Sequence, residues 1–438
     1  MPVHDAERSL RRDIGLTGSA FLSFNGMVGA AIFALPATLY LQFGTFSPWL
    51  FPLFALLVLP IALPFARLAA RHPDSGGPVA YAAAFGPLAA FQVGWLYYLA
   101  RITALAANAN VFAGYAAAIW APLGTAIGRI GVILALVGGL TLINIVGVRR
   151  AVRALDALTL LKALPLVVLA IWGLAAAQAL PAPGPPPPLS EVEAAALLIL
   201  YAFIGFENSV VPAGETADPR RNIPRALIVT VAGTAALYFL IQLAYVAVMP
   251  AGGMPQAPLA AFAEVLLGPA GALLLTATAL ASVAGNVSGS MTSTPRATYA
   301  LAHQGSLPRW FGTVSTRFAT PANSILFMGT AGALLAASGS FVWLAIVSTL
   351  ARLIVYAVSI AALPRRGQSG PGTYALVAAG LAVCLWAALQ STWLAWARLA
   401  GLFAVGLLLF FVARRQAASS AAATVSSIQP PPSTRSPS

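Results

Sequence analysis

Four ionisable residues lie within long apolar stretches: Arg101, Lys162, Glu207 and Arg352. A charge at hydrocarbon depth is costly unless it is paired or solvated, so each marks a structural pair or a place where an ion or solute is handled. Lys162 is the chain's single lysine and follows the Arg149, Arg150, Arg153 cluster. Its ammonium either reaches back to the membrane surface along its apolar stem or stays buried, where it could release and regain a proton. Glu207 is the one acidic residue deep within an apolar stretch, and it serves as a proton carrier, a gate or an arginine's partner. Helical spacing puts Arg101 on one face with Tyr97, Asn108 and Tyr115, and Arg352 on one face with Ser348, Tyr356 and Ser359. Both faces should meet protein or a water-filled cavity, where they bind solute or brace helices. Ser282, Asn286, Ser290 and Ser293 make a polar stripe on another stretch, fit for an ion or for helix–helix hydrogen bonds.

Other chemistries lack their residues. His4, His72 and His303 are far apart in sequence, Cys384 is the only cysteine, and no metal-ligand spacing or nucleophile–base arrangement occurs. No GxxxxGK[ST] run cradles a phosphate. Neither an enzyme nor a cofactor or metal protein is expected.

The elements that carry these residues must be membrane helices. Hydrophobic residues make up 59% of the 438 positions and charged residues 8%, against roughly a quarter charged in soluble domains. The net charge of +13 does not point to nucleic acid, because the basic residues fall in short clusters between apolar runs. About twelve spans are legible, at 14–43, 49–68, 88–118, 127–147, 155–178, 191–213, 224–249, 268–302, 321–338, 341–363, 373–390 and 393–413. The first and eighth are long enough to be tilted or interrupted. Pro181 to Pro188 forms a stiff extended linker, and the Ser-, Ala- and Pro-rich tail over 416–438 is expected to be disordered. Arginine clusters at Arg8–Arg12, Arg67–Arg71, Arg149–Arg153, Arg220–Arg225, Arg296–Arg317, Arg365–Arg366 and Arg414–Arg435 all fall on one side, with only Arg129 and Arg398 near the other. That asymmetry predicts a multi-pass inner (plasma) membrane protein with both termini cytoplasmic.

Two spans carry matching interruptions. Span one contains Asn25-Gly26-Met27-Val28-Gly29-Ala30-Ala31-Ile32-Phe33 with Pro36 beyond, and span six contains Tyr201-Ala202-Phe203-Ile204-Gly205-Phe206-Glu207. Glycines there either let neighbouring helices pack closely or mark broken helices. The two segments open successive blocks of five spans, and an odd number reverses the second block's topology. Interrupted helices at matching positions of an inverted repeat point to a solute site near the bilayer midplane. The N–H groups opening the outer half of span one would face a carboxylate, and the carbonyls closing its inner half an ammonium.

The sequence also resembles the amino acid–polyamine–organocation (APC) family. The likeness rests on GMVGAAIFALP in span one, HPDSGGPVAYAAAFGP followed by GW after span two, FIGFENSVVPAGETADPRRNIPRAL through span six, and TPRATYALAHQGSLPRWF after span eight. It implies an all-α, five-plus-five inverted-repeat (LeuT-like) fold with two added helices, and coupling to protons or a counter-substrate rather than to ATP. A core over 14–363, with repeats 14–178 and 191–363, would then sit between an N-terminal segment 1–13 and extra helices over 373–413. By the same resemblance Met27, Val28, Gly29, Ala30, Ala31, Tyr201, Ala202, Ile204 and Gly205 would line the solute site. Ala31 stands where many relatives have the second glycine of a GxG pattern, and Tyr201 where some have an aromatic that closes over substrate. Lys162 would occupy the place of a sodium ion between spans one, five and eight, and Glu207, Ser282 and Asn286 would couple or gate. The expected function is an amino-acid permease in contact with lipid, with no particular oligomeric state implied. An exporter or polyamine exchanger on the same fold is the alternative, and a membrane scaffold or enzyme the more distant one. Three cationic residues in the spans against one carboxylate lead to an expected neutral solute, small or apolar in its side chain.

Overall fold

The computed structural model of the protein describes residues 12–71, 76–147 and 162–428, with 417–428 as backbone. Arg8, Arg11, Arg149, Arg150, Arg153, His4, His72 and the predicted start of span five lie outside the described residues.

The described chain is helical apart from turns and a single isolated bridge between Ile14 and Thr216. Among the described residues, nine helical stretches are long and apolar enough to cross a membrane. The first, Ala30–Arg71, joins the outer half of span one to span two through a tight turn at Gly44–Trp49, and the shorter apolar helices Ala163–Ala176 and Ala322–Ser338 complete the twelve spans. Proline begins many of them, at Pro87, Pro219 and Pro371, where its missing N–H costs nothing. Residues 177–188 are not helical, as the proline run requires.

Two predicted interruptions are real breaks. Span one stops at Met27 and restarts at Ala30, with Val28 and Gly29 outside helical geometry. Span six stops at Tyr201 and continues through turns into the short segment Phe206–Ser209, after Gly205 at φ 117°. The eighth span is also interrupted, at Gly268 with φ 68°, so a short helix from Pro258 precedes the membrane-crossing part ending at His303. The last helix runs on to Ile428, past Gln416. Ala417, Ala418 and Ala421–Ala423 explain this, since alanine has the best helix propensity, whatever the serines suggest.

The spans form two packed groups. Span seven packs against span two, span five and the inner half of span one, which itself packs on the inner segment of span six. Span three packs against spans eight, nine and ten, and span four against span nine. Span three is the most central of the second group: 67% of its most apolar window is buried, against 17% for span twelve at the edge. Exposed leucines such as Leu56, Leu134, Leu334 and Leu408 occupy the outward faces, where they suit lipid. The polar residues Asn108, Glu207, Gln242, Ser348 and Arg352 are all buried inside.

Candidate solute site between the broken spans

The two breaks meet backbone to backbone. A Cβ on Gly26 would lie 2.6 Å from the Gly205 carbonyl oxygen, and one on Gly205 would lie 2.8 Å from the Gly26 Cα. Only glycine permits both that approach and the positive φ at Gly205. Ser23 fastens the inner segments together, donating to the Phe206 carbonyl at 2.7 Å with the Ser209 hydroxyl 2.8 Å from its own. Beside the breaks lies a cavity of about 30 Å³, bounded by spans one, three, six, eight and ten.

Most predicted solute-binding residues reach that cavity: Met27, Gly29, Ala30, Ala31, Tyr201, Ile204 and Gly205 line it. Val28 and Ala202 do not, both being fully buried in packing. The outer half of span one opens at Ala30 with no side-chain cap on Gly29. Its first N–H groups therefore have no intrahelical partner and give this end partial positive charge.

The carbonyls closing the inner half behave differently from expectation. The Asn25 carbonyl accepts from Asn286 Nδ2 at 3.1 Å and from Lys162 Nζ at 3.5 Å, and the Met27 carbonyl accepts from Tyr238 Oη at 2.9 Å. The Val28 carbonyl accepts from Lys162, which also donates to Asn25 Oδ1 at 2.9 Å. Backbone groups freed by a break must be satisfied at membrane depth, and here protein donors do so, leaving these carbonyls taken before any solute ammonium arrives. Lys162, only 2% exposed, therefore does not snorkel to a surface.

Glu207 is fully buried; protein donors engage its Oε2, while Oε1 has no hydrogen-bond partner and faces the Arg352 guanidinium. Tyr356 Oη donates to its Oε2 at 2.8 Å and the Gly205 N–H at 3.0 Å, while Arg352 Nε lies 3.5 Å from Oε1. Arg352 also donates to Ser348, which in turn donates to the Ala100 carbonyl at 2.8 Å. The break of span six is thereby tied to spans ten and three. Both arginines line the cavity, but Arg101 makes a different set of bonds: to Thr294 Oγ1 at 3.2 Å, Asn208 Oδ1 at 3.2 Å and Ser293 Oγ at 3.3 Å. Tyr97 stacks against both guanidinium groups. In the polar stripe, Ser290 lines the cavity and Asn286 grips span one, while the Ser282 hydroxyl is buried with no partner.

Several participants have no local signature in the sequence. Tyr238 on span seven and Asn25 look like an ordinary core tyrosine and a helix asparagine. Asn208 follows Glu207 directly, and its place in the break was the available signal. Among the described residues no group of histidine, cysteine and acidic side chains could hold a metal ion.

Known proteins agree with this architecture. Residues 14–413 match the family model described as amino acid permease. An uncharacterised transporter of Mycobacterium tuberculosis is 29% identical over 364 residues, covering 81% of this chain and 80% of that protein. An L-methionine/branched-chain amino acid exporter of Escherichia coli is 29% identical over 225 residues, covering 50% of this chain and 53% of that protein. A cadaverine/lysine antiporter of Escherichia coli is 26% identical over 315 residues, 70% of this chain and 71% of the other. With a family match across nearly its whole length and a multi-pass helical fold built around two broken spans, the chain belongs to the amino acid permease family and is an amino-acid transporter, not an enzyme.

Proposed function

We propose that the protein carries an amino acid across the cytoplasmic membrane by alternating access, using the cavity between spans one and six. The observation that carries this reading is the backbone-to-backbone meeting of Gly26 and Gly205 beside the uncapped helix start at Ala30. That start offers donors and partial positive charge to the one group every amino acid shares, its α-carboxylate. Tyr201 closes the cavity on the side of span six, and the repeats 14–178 and 191–363 supply the two halves that rock.

Both termini face the cytoplasm, in line with the arginine clusters, and Pro181–Pro188 faces outward. Lys162 donates to the carbonyl ends of the break and is the proposed proton-coupling group. The Glu207–Arg352 pair is the proposed gate brace. Export rather than import, as in the methionine relative, would use the same site in the opposite net direction.

The test is solute counterflow in proteoliposomes. Vesicles loaded with unlabelled amino acid should accumulate labelled amino acid without sodium, and a proton gradient should drive net uptake if coupling is to protons. Absence of counterflow for every amino acid, with the protein folded, would reject the reading.

A further inference from the structure

We propose that the carried solute is an acidic amino acid whose side-chain carboxylate is held by Arg101 and whose ammonium is taken by Asn108. This rests on the cavity being the solute site and adds the charge of what fills it.

The charge balance of the cavity wall carries the inference. Of its two arginines, Arg352 faces Glu207 at 3.5 Å in a pair with almost no solvent exposure. Lys162 is turned to the carbonyls behind the break. Arg101 is left facing the cavity with only neutral oxygens bonded to it, each at 3.2 or 3.3 Å. Charge-assisted bonds to a carboxylate are shorter, about 2.7–2.9 Å. Three of its five N–H donors are used, and the remainder suit an incoming carboxylate. Arg101 is half-buried, and a neutral side chain would leave it with neutral oxygens and solvent as its only partners. The neutral solute suggested by counting charged residues is therefore replaced by an anionic one, because the count could not show that Glu207 is already committed.

Asn108 is the second, independent observation. It is 3% exposed, lines the same cavity, and its Oδ1 has no partner while Nδ2 donates to the Ala104 carbonyl at 2.7 Å. An orphaned buried acceptor is expensive unless a ligand supplies a donor, and with the Asn25, Met27 and Val28 carbonyls occupied, Asn108 Oδ1 is an acceptor on the cavity wall open to an ammonium. Asn108 and Arg101 lie two helical turns apart on span three, roughly 10 Å along the axis before the reach of the arginine side chain is subtracted. An ammonium at Asn108, an α-carboxylate at the Ala30 helix start and a second carboxylate toward Arg101 use each of these groups once. A diamine or a basic amino acid would bring its extra cation to Arg101 and find no carboxylate on the cavity wall. The lysine and cadaverine of one relative are thus not expected here.

Affinities of purified protein in nanodiscs for two matched pairs, glutamate with glutamine and aspartate with asparagine, give the test. The acidic member should bind at least tenfold more tightly, and Arg101→Gln should bring each pair within twofold by weakening the acidic member more than the amide. Arg101→Lys should keep part of the preference. Equal binding within each pair in the unaltered protein overturns the proposal, as does a preference that survives Arg101→Gln. In those cases binding that is still lost on Gly29→Leu leaves the proposed function standing, whereas binding of no amino acid at all removes both.

Discussion

Glu207→Gln isolates the electrostatic part of the brace at the span-six break. Glutamine keeps the volume and can still accept through its amide oxygen from Tyr356 Oη and the Gly205 N–H, now at 2.8 and 3.0 Å. What disappears is the negative charge 3.5 Å from Arg352, in a pair with side-chain exposures of 3% and 0%, so solvent screening gives little relief. Breaking such a pair from one side costs about 3–5 kcal/mol. The retained hydrogen bonds argue for the lower end, about 3 kcal/mol, or roughly a hundredfold in the folded-to-unfolded ratio. Adding Arg352→Met removes the stranded cation, so the double variant should be more stable than Glu207→Gln alone by about 2 kcal/mol or more. Reversible unfolding in mixed detergent micelles, run as a double-mutant cycle, measures both. A single variant within about 1 kcal/mol of the parent, or additive effects in the cycle, would refute the assignment of Glu207 and Arg352 as a coupled buried pair.

Two further perturbations probe the break itself. Gly205→Ala combines a positive φ with a Cβ 2.5 Å from the Gly26 carbonyl oxygen, and should cost about 2–5 kcal/mol; a melting temperature equal to the parent's would show that the breaks do not touch. Lys162→Ala removes the donor to Asn25 and Val28 and should flatten the pH dependence of counterflow without sodium, whereas a parental pH profile would exclude Lys162 as the coupling group.

The fold was largely legible because membrane spans announce themselves by length and apolarity, and because glycines at 26, 29 and 205 sit where helices are weakest. Residues contributed by one break to the cavity were legible for the same reason. Partnerships across the bundle were not. Nothing local to Lys162 says that it caps Asn25 and Val28, and nothing near Glu207 says that Arg352, on span ten, neutralises it. Helical spacing put Tyr97, Arg101 and Asn108 on one face, yet only the packed structure separates a guanidinium on span ten paired with a carboxylate from one on span three bonded to neutral oxygens.

The central claim is that an amino acid binds at Gly29, between the broken spans. A Cβ at this position would stand 3.2 Å from Asn286 Nδ2 and 3.5 Å from Asn108 Oδ1, both side-chain atoms able to shift, and φ is negative, so Gly29→Leu should fill the cavity while the bundle stays folded. Equilibrium binding of a labelled amino acid to purified protein, compared with this variant at matched melting temperature and elution volume, tests it directly. Saturable binding in the parent and its loss in Gly29→Leu is the predicted result. Undiminished affinity in the folded variant would contradict the claim and place the solute elsewhere.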